Sequence, residues 1–172
     1  MIMQATMKIK KLAIWLAAML AVAVLSPLDA AAGGTSFSFQ LTGPNTAMAS
    51  SGQFSGDTIR MTGAGTFDRV AATVDADGSF KIIRPDGTVV ERGTWKATAF
   101  TSFTSFGGPH PGFQGGVLVI TVTLTPVSGA PLSGQSMVVN CLVNAPSGFT
   151  GDEGMTVGDF TTSTGGTTLF HN

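Results

Sequence analysis

From residue 36 onward, apolar side chains recur at every second position rather than every third or fourth. Ser36–Leu41 reads SFSFQL, which puts Phe37, Phe39 and Leu41 on one face of an extended chain. Val117–Leu124 alternates likewise, with Leu118, Ile120, Val122 and Leu124 on one side and Val117, Val119, Thr121 and Thr123 on the other. Both sides are apolar enough for a central strand. Met137–Val143 groups Met137, Val139, Cys141 and Val143. Thr58–Thr62, Gly65–Val74, Gly78–Ile83, Thr88–Arg92, Gly93–Phe106, Met155–Thr162 and Thr167–His171 are further candidates. The expectation is an all-β fold, an antiparallel up-and-down barrel or sandwich of about eight to ten strands.

Helices have little room. The longest run without Gly or Pro, Thr94–Phe106, has 13 residues and reads TWKATAFTSFTSF. Thr and Phe fit a pleated surface and lose rotamer freedom in a helix. Asp77-Gly78 and Asp86-Gly87 read as hairpin turns, because Gly tolerates the positive φ that tight turns require. Three triplets echo one another: Gly65-Thr66-Phe67, Gly78-Ser79-Phe80 and Gly93-Thr94-Trp95. Each opens a strand candidate and sets an aromatic two residues after a Gly. Two stretches break the rhythm, Phe106–Gly116 (FGGPHPGFQGG) and Pro146–Gly154 (PSGFTGDEG), and both are expected to be loops. Loops on a rigid β scaffold commonly carry function.

The N-terminus follows a different pattern. Lys8, Lys10 and Lys11 precede the uncharged apolar run Leu12–Leu25, followed by Ser26-Pro27 and the small residues Ala30-Ala31-Ala32. This is the order of a secretory signal peptide. A spanning helix needs about 20 apolar residues, and this run is shorter. Cleavage is expected after Ala32 or Ala30; removal of residues 1–32 leaves 33–172 as one β domain in a secreted, periplasmic or cell-surface location, with no membrane attachment after cleavage.

Past residue 32 the chain has six cations (Arg60, Arg69, Lys81, Arg84, Arg92, Lys96) against nine carboxylates, a net charge of −3. That balance argues against a nucleic-acid partner, which needs clustered Lys and Arg. Cys141 is the single cysteine, so the domain has no internal disulfide. It reads as a buried small apolar residue.

No nucleophile elbow, phosphate-binding Gly loop, zinc signature or dinucleotide fingerprint occurs. The chain is expected to be non-catalytic, without metal or cofactor. Asp75-Ala76-Asp77-Gly78 lacks the further oxygen ligands of a calcium loop. Asp152-Glu153 reads as solvated loop charge. His110 lies between Pro109 and Pro111 in an extended, exposed setting. Arg69 follows Phe67 at the strand period and would point inward with it, an expensive placement that would suit a polar-lined cavity. Trp95, Phe100, Phe103, His110, Phe113, Phe149 and Arg69 are the candidate ligand-binding residues.

The order Gly63-Ala64-Gly65-Thr66-Phe67, Gly93-Thr94-Trp95-Lys96-Ala97, Phe113–Val119, Val139-Asn140-Cys141 and Asp152-Glu153-Gly154 resembles a group of small exported prokaryotic β-rich proteins. That resemblance implies fold and export but no activity. The Gly-x-Gly-x-Phe opening is also similar to dirigent-like and allene-oxide-cyclase-like barrels, which are closed antiparallel sheets around an apolar cavity. The functional expectation is an exported, non-catalytic protein that binds a small apolar ligand or a cell-surface partner. A structural or adhesive cell-surface module is the alternative, and a cofactor-free isomerase-like barrel enzyme the third reading.

Overall fold

The computed structural model describes residues 35–172, and the expected leader at 1–32 lies outside them. Eight strands follow in order: β1 (Ser36–Met48), β2 (Thr58–Asp68), β3 (Thr73–Ile83), β4 (Val89–His110), β5 (Phe113–Pro126), β6 (Leu132–Cys141), β7 (Gly154–Val157) and β8 (Thr162–His171). They form one antiparallel sheet in the order β4-β3-β2-β1-β8-β5-β6-β7, and β4 also pairs with β5. No described helix is long and apolar enough to cross a membrane.

The sheet thus returns on itself at β5. One edge of β5 takes β4, and the other is shared. Phe113 and Gln114 pair with His171 and Phe170 of β8, whereas β6 takes over from Gly116 onward. This is not a clean barrel, because β6 and β7 fork away from β8. Side chains close that fork. Glu153 accepts hydrogen bonds from Leu142 N at 2.6 Å, Thr168 N at 2.9 Å and Thr168 Oγ1 at 2.9 Å. Thr168 Oγ1 also lies against Asn140 O, and Ser163 Oγ donates to Glu153 O at 2.8 Å. One carboxylate therefore satisfies backbone donors that strand pairing leaves open on both sides of the fork. Glu153 is a clasp and not the solvated loop charge expected.

The inward faces form one core. Leu118, Ile120, Val122 and Leu124 are buried as the alternation requires, and β5 is paired on both edges. Phe37, Phe39, Phe67, Phe100, Phe103 and Phe170 make a connected aromatic cluster, with centroids 4.8–6.4 Å apart. Offset and tilted ring pairs of this kind add about 0.5–1.5 kcal/mol each beyond area burial.

The glycine–aromatic echo is a register device. Antiparallel pairing sets Gly78 opposite Trp95 and Phe80 opposite Gly93. The aromatics of the second and third triplets thereby each lie over the other's glycine, whereas Phe67 of the first stands opposite Val74. A Cβ on Gly78 would fall 2.5 Å from Trp95 Nε1, and one on Gly93 would fall 2.9 Å from Phe80 Cε1. The indole also covers Gly63 and donates from Nε1 to Thr62 O at 3.0 Å.

Several expectations need correction. The ten candidates become eight strands, because three breaks expected at glycines do not occur and one unexpected break splits Gly65–Val74. The chain runs straight through Gly63 and Gly93, and Asp77-Gly78 lies inside β3 instead of forming a hairpin turn. Gly78 serves close approach of an indole, the other common reason for Gly in a strand. The β2–β3 turn falls at 69–72, where Asp68 Oδ1 accepts from Val70 N and Ala71 N, both at 2.8 Å. Asp86-Gly87 is a turn as expected: Asp86 Oδ1 accepts from Thr88 N at 2.8 Å, and Gly87 has φ +86°. Phe106–Gly116 is not a loop. β4 continues to His110 and β5 starts at Phe113, leaving Pro111-Gly112 as the whole turn.

The three-residue spacing of Phe100, Phe103 and Phe106 has its cause in the same hairpin. The β4–β5 register shifts between Ala97 and Ala99, Phe100 and Ser102, and Ser105 and Gly107. The first two bulges each insert a residue, so Ala97, Phe100 and Phe103 keep facing the core, and Phe106 is itself the extra residue of the third and meets Phe149.

Candidate functional site

The far end of the β4–β5 hairpin brings two of the sequence-predicted residues, His110 and Phe113, together at the surface. Pro111 presets the first turn position, and Gly112 holds φ +90° at the second, as a type II turn demands. The turn sets His110 opposite Phe113, and β8 sets His171 opposite Phe113 on the other side. Phe113 and His171 rings pack 4.4 Å apart, tilted by 57°. Phe113 is 46% exposed, which is unusual for a side chain so firmly backed.

Glycines let the backbones close up here. A Cβ on Gly108 would strike Phe113 O, and one on Gly115 would strike Val143 O. Ser105 Oγ bridges Gln114 Oε1 and Gly107 N across the bulge. A depression of about 340 Å³ is lined by Pro109, His110, Pro111, Phe113, Gln114 and Asn172 together with the glycines of the hairpin.

Phe149 stands nearby in the 142–153 loop. Its ring meets Phe106 edge-on at 5.0 Å, and Gly151 leaves the space it needs. The other candidates lie elsewhere. Trp95 is 1% exposed in the core, while Phe100 and Phe103 belong to the aromatic cluster and fill interior space. Arg69 does not point inward. β2 ends at Asp68, so Arg69 falls in the exposed turn, its guanidinium 5.8 Å from the Phe37 ring centroid.

His171, which the sequence offers only as the end of the last strand candidate, and Phe106, expected in a loop, join this region without having been candidates. The alternation of Thr167–His171 against buried Phe170 is the signal that puts His171 on the outer side.

No known protein family, no curated protein and no solved structure matches this chain. The chemistry of the rim is therefore read from its own side chains. Among the described residues, no group of three or more His, Cys, Asp or Glu is placed to hold a metal ion. Cys141 is buried at the inward end of β6, and that burial pushes its thiol above the usual range. A raised, buried thiol is a poor nucleophile. The rim offers one exposed aromatic face, two imidazoles and a proline-stiffened backbone, which suits contact with an apolar or planar group more than bond-making.

Proposed function

We propose that the protein is an exported, non-catalytic binding module, an incompletely closed antiparallel barrel that takes a small apolar ligand at its rim rather than in its interior. Phe113 carries this reading: a half-exposed aromatic held on paired strands and braced by His171. Binding sites combine apolar surface with a few placed polar groups in clefts of about 300–1,000 Å³, and the rim depression is at the small end of that range. The filled aromatic interior supports moving the ligand from the core to the rim.

Native mass spectrometry of the exported product tests this. The expected result is a mass lacking residues 1–32, or 1–30, with a copurified small molecule that is lost in Phe113→Ala and kept in Trp95→Phe. A ligand retained by Phe113→Ala, or no copurified mass together with no saturable Nile red binding, overturns the rim site. An intact N-terminus overturns export.

One observation favours a structural or adhesive surface module as a second reading. Among the described residues, β4 pairs with β3 only as far as Lys96, so Thr98–His110 bonds to β5 alone and presents an uncharged edge. Sedimentation showing self-association that Ser102→Pro abolishes would favour this reading over the first.

A further inference from the structure

The outer face of β2–β4 carries a feature at the other end of β4 from the rim. Register places Arg60 opposite Lys81 and Lys81 opposite Arg92. All three are exposed and project from the same face, on strands about 4.8 Å apart. Half of the cations beyond residue 32 thus stand in one row, in a domain whose net charge is −3. Like charges directly opposed across strands destabilise a sheet. No direct ion pair relieves the repulsion: among the described residues, no carboxylate oxygen lies within 4.0 Å of their charged nitrogens. The adjacent acid, Glu91, stands opposite buried Ile82 and accepts from Arg92 N and Ser128 Oγ instead. The acids of this face, Asp68, Asp75 and Asp77, are opposite Thr73, Thr66 and Lys96, toward the far end of the strands.

The next row inward is hydroxylic. Thr62 stands opposite Ser79, and Ser79 opposite Thr94, with Thr62 Oγ1 and Ser79 Oγ 3.1 Å apart. A depression of about 280 Å³ lies where the two rows meet, against Arg60, Thr62, Ser79 and Lys81, and a second of about 390 Å³ is lined by Lys81 and Arg92 with Glu91 and Ser128 on its far side.

We propose that this face is a binding site for an acidic polysaccharide, with carboxylates of successive sugar units on Arg60, Lys81 and Arg92 and sugar hydroxyls on Thr62, Ser79 and Thr94. Three cations in line across three strands call for a ligand with several charges spaced along its length, not a single anion. The neighbouring hydroxyl row complements a polyol. The rows hold no aromatic on which a nucleobase would stack, the usual source of single-strand affinity. The site shares no residue with the rim and stands or falls independently of it.

The test is calorimetric titration of the exported protein with polygalacturonate, against neutral dextran, single-stranded DNA and anionic phospholipid vesicles. The expected result is selective polygalacturonate binding that weakens at high salt. Lys81→Gln should lower affinity several-fold, and the Arg60→Gln/Lys81→Gln/Arg92→Gln variant by at least about tenfold, a change of about 1.4 kcal/mol. Lys96→Gln should change it less than twofold. The triple variant should melt at the same temperature or higher, because the repulsion is gone; a merely structural row would lower it. The proposal is overturned by unchanged binding in the triple variant, by a lowered melting temperature with unchanged affinity in Lys81→Gln, by tighter binding to DNA or vesicles, or by no binding to polygalacturonate.

Discussion

Gly78→Ala places a methyl group where the fold has put an indole. The new Cβ would stand 2.5 Å from Trp95 Nε1 and 2.7 Å from Gly63 Cα, and would press on the Thr62 carbonyl oxygen. Ordinary carbon contacts are about 3.5–4.0 Å, so something must move. Trp95 cannot simply retreat, being 1% exposed and covering Gly63 as well. Overpacking of this kind costs about 1–3 kcal/mol. A displaced indole also loses its bond to Thr62 O, worth about 1 kcal/mol. The expected total is about 2–4 kcal/mol. With a urea m-value of about 2 kcal/mol/M, the unfolding midpoint should fall by roughly 1–2 M. Circular dichroism and tryptophan emission should report one coincident transition. In a Trp95→Phe background the smaller ring leaves more room, and the same substitution should cost at least about 0.5 kcal/mol less, the coupling expected of residues in contact. A midpoint shift under about 0.3 M at unchanged m would refute the packing argument. Equal costs in both backgrounds would shift the blame from the indole to the Thr62 carbonyl.

Two further outcomes follow from the polar anchors of the fold. Asp68 accepts from Ala71 N, Ser36 Oγ, Thr35 Oγ1 and Val70 N, and these bonds lower its pKa from 3.8 to about 2. The stability it adds is complete above the unfolded value of 3.8 and disappears as pH falls through about 2, so Asp68→Asn should flatten the pH dependence of the urea midpoint within that window. Glu153→Gln keeps the shape of the clasp but turns an NH₂ toward one of its three donors; the expected loss is about 2 kcal/mol, with faster hydrogen exchange first at the Leu142 and Thr168 amides.

The sequence shows this fold wherever burial obeys a period of two. SFSFQL and VLVITVTL carry their faces openly, and both strands lie as the alternation requires. The bulged hairpin is less legible. Gly and Pro normally punctuate strands, and FGGPHPGFQGG is dense in both, so it reads as a loop. Here the glycines relieve backbone contacts within a continuing ladder, and that use is visible only once the partner strand is known. Phenylalanine every third residue belongs to neither strand nor helix until each bulge is counted. The rim was half visible: His110 and Phe113 stand out in the chain, but His171 joins them only through the β5–β8 pairing. Glu153 was hidden for another reason. Its three donors are backbone and hydroxyl groups spread over 142–168, and no residue-type motif records them.

The cation row was out of reach because Arg60, Lys81 and Arg92 lie on three strands, and only register brings them into line. Register, in turn, is a packing outcome. Gly78↔Trp95 and Lys81↔Arg92 belong to one unbroken ladder, and Gly63↔Gly78 and Arg60↔Lys81 belong to the next. The indole of Trp95 lies over Gly63 and Gly78 together, so a single buried ring pins both ladders. A slip of one residue in either would turn inward-facing positions outward and bring a bulkier residue under the indole. The interior lock and the exterior charge are therefore one constraint seen from two sides. The repulsion between Arg60, Lys81 and Arg92 is tolerated because it acts on a register that Trp95 already holds.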